Sequence, residues 1–138
     1  MNDIVTLKIE LPKIADIELV ALEGLDRLGS HMGIAPDKIS EARVLVTEAI
    51  INALEHTGEQ HPIVEVEFTM SKDELTIFVR DYGVGFAPDA VDTPNIASKL
   101  KSEHKRGWGL HLMKSMSDDF RVESQSSGTK ITLIKKLT

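Results

Sequence analysis

The stretch TEAIINALEH, Thr47 to His56, runs through strongly apolar sequence yet carries a carboxylate and an amide one turn apart. Val44, Leu45, Val46, Ala49, Ile50, Ile51, Ala53 and Leu54 surround Glu48 and Asn52. At about 100° per residue the two polar positions differ by only about 40° around a helix. Glu55 and His56 continue the same side one turn further on. A buried carboxylate without a partner costs several kcal/mol, so this side either meets solvent, as in an ordinary amphipathic helix, or lines a cavity. Asn is a poor interior helix former, and its apolar neighbours favour the cavity. Mg²⁺ takes hard oxygen ligands, few from protein and more from phosphates and water. The Asn52 amide oxygen can supply one, leaving Glu48 to accept a proton.

The rest of the chain builds a frame for this helix. IVTLKIEL alternates, with Val5, Leu7, Ile9 and Leu11 on one face, and reads as a half-buried strand. Apolar residues from Ile14 to Met32 recur near helical spacing, and Gly33 supplies a stop. Pro36 and Asp37 open the helix that contains the quoted stretch, and Gly58 is its expected end. IVEVEFTM and ELTIFVRD flank the polar turn SKDE and form a hairpin. Tyr82 to Arg106 lacks periodicity and predicts a long loop with a short helix near Ile96 to Leu100. A loop of about 25 residues is more often a functional lid than filler. GLHLMKSM predicts a helix opening at Gly107 to Gly109, and DFRVES with GTKITLIKK a final hairpin turning at Ser126 to Gly128. The order β-α-α-β-β-loop-α-β-β implies an α+β fold. It is a two-layer α/β sandwich, a mostly antiparallel sheet covered on one face by three helices.

Composition narrows the function. At 138 residues, 41% hydrophobic and 28% charged, the chain reads as one ordinary globular domain, residues 1–138. No stretch approaches the roughly 20 apolar residues of a membrane span, and the N-terminus reads as a strand rather than a signal peptide. Without cysteine there is no disulfide framework, thiolate zinc site or thiol nucleophile, in keeping with a cytoplasmic location. A net charge of −6 argues against direct nucleic-acid binding. SKLKSEHKRG is a local basic exception.

Two further motifs carry chemistry. RDYGVGF ends a strand at Asp81 and continues with Gly83 and Gly85. Glycines let a ligand approach the backbone, and a carboxylate there can accept a hydrogen bond from an amino group on a planar heterocycle. The bland alternative is a Gly-rich turn. KRGWGLHLMKSM places Lys105 and Arg106 before a glycine pair opening a helix, where free N–H groups favour phosphate. A loop with solvated charges is the competing account.

Taken in order, these motifs resemble the GHKL superfamily of ATPases and kinases, with its Bergerat ATP-binding fold. EAIINALEH looks like the N box, DYGVGF and RGWGLHLM like the two glycine boxes, and GTKITL like the closing threonine-bearing strand. The short length and leading β-α-α segment look most like the bacterial anti-sigma-factor serine/threonine kinases. That resemblance implies ATP and Mg²⁺, a STAS-domain anti-anti-sigma substrate, a sigma factor or other regulator as second partner, and a homodimer as one assembly. It assigns Glu48 as catalytic base and Asn52 as the Mg²⁺ ligand. Asp81 would hold the adenine amine, with Thr129 supporting that end through water. Gly83 and Gly85 would shape the adenine wall, and Gly107 and Gly109, with Lys105 and Arg106, would meet the phosphates. His56 matches the end of the N box, and a helix-terminal histidine favoured by the dipole accounts for it equally. Tyr82 and Trp108 depart from the family pattern, which often has a small polar residue and a basic residue there. A non-catalytic module switched by ATP and a histidine-kinase-type ATPase domain are the alternatives. No upstream helix bearing a phosphoacceptor histidine precedes the first strand, which disfavours the latter.

Overall fold

Side-chain alternation sets the two faces of a five-stranded sheet. The computed structural model describes the backbone of residues 3–84 and 102–138, with side chains for 3–84 and 108–138. Strands β1 (Val5–Pro12), β2 (Ile63–Met70), β3 (Glu74–Asp81), β4 (Asp119–Gln125) and β5 (Gly128–Lys136) lie in the order β1-β2-β3-β5-β4, every pairing antiparallel. Register stacks Leu11 on Val64, Ile9 on Val66 and Leu7 on Phe68. The row continues through Val66–Val79–Ile131 and Phe68–Ile77–Leu133, so one face is apolar across the sheet. Fully burying each such side chain contributes about 1.5–3 kcal/mol. Asp81 and Thr129 pair with each other two residues beyond Val79 and Ile131, and therefore end the same inward rows.

Helices α1 (Glu18–Met32), α2 (Pro36–His56) and α3 (Ser102–Met116) cover that face. Helix α2 is central: it packs on α1, α3, β2, β3 and β5, burying Ala42, Leu45, Val46, Ala49, Ile50 and Ala53. Lys135 ties the layers together, donating to Glu41 of α2 at 2.9 Å and to the Met116 carbonyl at the end of α3 at 3.1 Å.

Three helix boundaries differ from the sequence expectation. Helix α1 starts at Glu18 rather than near Ile14, because Lys13 N–H is bonded to the Pro62 carbonyl and Asp16 adopts φ 63°. Helix α2 ends at His56, with Thr57 rather than Gly58 as its C-cap. Buried Thr57 turns extended and its hydroxyl donates to the Ile63 carbonyl (2.9 Å) while accepting Tyr82 N–H (3.1 Å). Gly58 N–H completes the clasp on the Tyr82 carbonyl. Helix α3 starts at Ser102, so Gly107 and Gly109 lie inside it rather than at its start. Their N–H groups are thus not the free donors of a helix N-terminus. The short helix expected at 96–100 lies outside the described residues.

The final hairpin turns through Ser126 and Ser127, since Gln125 pairs with Gly128. Gly128 has φ 138°, and a Cβ there would collide with the Asp81 carbonyl. Gly128→Ala is expected to destabilise by at least about 2 kcal/mol, whereas exposed Ser127→Ala stays within about 0.5 kcal/mol; urea titration checks both. Thr57→Val keeps the shape and strands the Tyr82 N–H, so a loss of about 1–3 kcal/mol is expected in the same assay.

Candidate active site

Glu48 and Asn52 stand side by side on the wall of a hollow. With Ile51 and Glu55 of α2, and Trp108, Gly109 and Leu112 of α3, they line a cavity of about 480 Å³. Asn52 is 5% exposed, while Glu48 is half-buried. The i, i+3, i+4, i+7 spacing of residues 48, 51, 52 and 55 makes this one stripe of α2. Gly109 brings α3 up to the carboxylate: a Cβ there would stand 3.5 Å from Glu48 Oε2, so the missing side chain leaves room beside the acid. Burial raises the pKa of Glu48 above the usual carboxylate value, and the charge of Glu55 adds to the effect. A carboxylate in this setting is a better proton acceptor than a solvated one.

The second cluster forms where α2 ends. Asp81 is 2% exposed, and its Oδ1 accepts N–H bonds from Gly83 (3.0 Å) and Thr129 (3.3 Å). Thr129 is likewise buried, its hydroxyl 2.9 Å from that of Ser124. A Cβ at Gly83 would overlap the His56 carbonyl oxygen, so only glycine lets this turn close against the helix terminus. Asp81 and Thr129 are not part of the Glu48 cavity wall. The two clusters are joined by α2 itself, whose residues 48 and 56 are separated by about 12 Å of helix rise.

The sequence reading did not anticipate several contributors. Thr57 holds the turn that follows Asp81, and Ile51 and Leu112 complete the cavity wall beside Glu55, which the helical spacing had already put on this side. A buried threonine just beyond a helix is the only signal of the first. Tyr82 follows inward-facing Asp81 and so points to the other face of the sheet. There its hydroxyl donates to Glu65 Oε1 (2.6 Å), Arg80 stacks 4.6 Å from the ring centre, and His61 meets the ring edge. The Glu65 carboxylate, by accepting that bond, is the main cause of a raised Tyr82 pKa. This departure from the family pattern therefore leaves the cavity untouched, whereas Trp108 forms part of its wall. Gly85 and the side chains of Lys105 and Arg106 lie outside the described residues, and Gly107 is a backbone position within α3. No described helix is long and apolar enough to cross a membrane.

Comparison with known proteins gives the family and the fold. The family model of the histidine kinase-like ATPase domain matches residues 13–135. The serine-protein kinase RsbW of Bacillus velezensis is 31% identical, over 98% of this chain and 86% of the relative. An anti-sigma F factor of Clostridium novyi is 30% identical, over 73% of each chain. The crystal structure of the RsbU and RsbW domains of Rv1364c from Mycobacterium tuberculosis superposes with a TM-score of 0.71 at 18% identity, covering 96% of this chain and 32% of that one, and shares the fold. The chain belongs to the histidine kinase-like ATPase family of GHKL proteins, alongside the RsbW serine-protein kinases and anti-sigma F factors.

Proposed function

We propose that residues 1–138 work as one ATP-dependent serine/threonine protein kinase domain of the anti-sigma kind. In this reading it acts in the cytoplasm with Mg²⁺, binds a sigma factor or comparable regulator, and phosphorylates a STAS-domain anti-anti-sigma partner. The observation that supports this best is the pairing of Glu48 with Asn52 on one cavity wall. The names of the relatives, a serine-protein kinase and an anti-sigma factor, agree with it. A module that only changed shape with ATP would have no use for a carboxylate held there with a raised pKa.

The donor set fits a magnesium ion carried by the nucleotide. Among the described residues no group of three His, Asp or Glu side chains could hold an ion alone. Asn52 offers one buried amide oxygen at the cavity wall. One protein ligand, completed by phosphate oxygens and water, suits Mg²⁺. When bound, the ion supplies positive charge against the phosphates.

Glu48 does the proton work. Its carboxylate takes the proton of the acceptor serine or threonine hydroxyl as that oxygen bonds to the γ-phosphorus of ATP. The bond from that phosphorus to the β–γ bridging oxygen breaks, and its electron pair leaves with ADP. Asp81 accepts the adenine amino group, its carboxylate oriented by the Gly83 and Thr129 N–H groups. Thr129, Gly83 and Gly85 shape the adenine end. Lys105 and Arg106 serve the phosphates, with Gly107 and Gly109 contributing the room that a missing side chain leaves beside α3 rather than free N–H donors.

Glu48→Gln is expected to lower phosphotransfer to a STAS partner by at least about 10², read by phosphoserine mass spectrometry, with Mg-ATP affinity kept. The sign of its stability effect follows from linkage. The folded state holds the Glu48 proton more tightly than the unfolded chain, so stability is lost as pH rises through the raised pKa. Glu48→Gln should therefore melt above wild type at pH 8, the gap closing as the pH falls below the Glu48 pKa. A mutant that melts lower at pH 8 would contradict the burial cost. Asn52→Ala should weaken Mg-dependent ATP binding at least about tenfold in calorimetry, and unchanged binding would remove its metal role.

A further inference from the structure

Glu48 borders two hollows. Helix α3 covers the C-terminal half of the outer stripe of α2 with Trp108, Gly109 and Leu112, which makes the cavity described above. Nearer the start of α2 the stripe lies open, and Ser40, Arg43, Val44, Thr47 and Glu48 line a groove of about 410 Å³. Glu48 is the residue common to the two linings. Val44 is 40% exposed, an apolar side chain left in water among polar ones. Arg43 is held toward α1 by its Nη1 bond to Asp26. A guanidinium has five N–H donors, so that contact leaves donors for the groove, while the Asp26 charge offsets its own.

In-line transfer decides what this groove receives. The attacking hydroxyl must approach the γ-phosphorus from the side opposite the departing ADP, and must lie within hydrogen-bond reach of its base. If the phosphates lie against Asn52, the hydroxyl meets Glu48 from its other side, over Val44 and Thr47. Residues 40 to 48 span about 12 Å of helix, the length of about four extended residues.

We propose that this groove is the docking site for the segment of the protein substrate that carries the acceptor serine or threonine. A small or branched apolar residue beside the acceptor packs on Val44. Backbone carbonyls of the segment accept from Arg43 and the Thr47 hydroxyl. Specificity then comes from shape and apolar contact more than from charge, because Arg43 is already paired with Asp26. This inference rests on the kinase reading above.

The test uses the full chain and the purified STAS-domain protein from the same organism as substrate. Val44→Arg and Ser40→Arg place a long, helix-compatible side chain in the groove without touching Asn52 or the cavity. The expected result is a KM for the STAS protein raised at least tenfold, with the calorimetric Kd for Mg-ATP within twofold of wild type and an unchanged melting temperature. Val44→Ile, which keeps an apolar branch, should stay within twofold in KM. An unchanged KM in Val44→Arg overturns the proposal. So does a parallel loss of Mg-ATP affinity, which would give the groove to the nucleotide. A change in the sedimentation coefficient of the free chain would give it to a second copy, and would equally overturn the proposal. No transfer by the wild type, in the presence of normal Mg-ATP binding, strikes the kinase reading itself and this inference with it.

Discussion

The structure depends on a polar stripe carried by its most enclosed helix. Helix α2 is packed by the sheet below and by α1 and α3 at its sides. Collapse onto Glu48 and Asn52 would strip a carboxylate and an amide of water, a cost of several kcal/mol that no nearby apolar gain offsets. The cavity beside them, with glycine at 109 on the opposing helix, leaves Glu48 half-buried and so lowers that cost without removing it. What looks like a packing defect is therefore a preformed hollow with one good proton acceptor on its wall.

The lower end of α2 solves a different problem. A helix terminus leaves carbonyls without partners, and here the chain must also turn two strands past it. Thr57 and Gly58 clasp both backbone groups of Tyr82, and Gly83 folds against the His56 carbonyl. Asp81 is locked between these contacts and the β5 backbone. Its orientation is thus set by main-chain bonds, which hold position better than flexible side chains. The outward ring of Tyr82, pinned by Glu65, Arg80 and His61, secures the same turn from the far face of the sheet.

These two ends make α2 a ruler. Glu48 stands at one mark and the buried Asp81 lies beside the other, so the spacing between them is that of a rigid helix rather than of loops. Catalysis by positioning needs such rigidity, since displacement by about 1 Å can cost about a hundredfold in rate. The tie from Lys135 to Glu41 and to the end of α3 keeps the covering helix in the same frame.

Much of this could be read from local pattern. The period-two rows of β2 and β3 identify the inward face, and counting on from Leu75, Ile77 and Val79 puts Asp81 on it. Helical spacing puts Glu48, Asn52 and Glu55 on one stripe. The helix boundaries could not be read this way. The turn before α1 is tied by Lys13 to Pro62, and the Thr57 cap is held by Tyr82, contacts far along the chain that override the local signals of Ile14 and Gly58, while α3 begins ahead of the signal at Gly107. Sequence alone determined the fold class, the faces of the strands and the polar pair on a buried helix, because periodicity is local. Whether that pair met water, protein or a cavity was decided only when α3 came to rest against α2, a long-range packing event that no window of residues encodes.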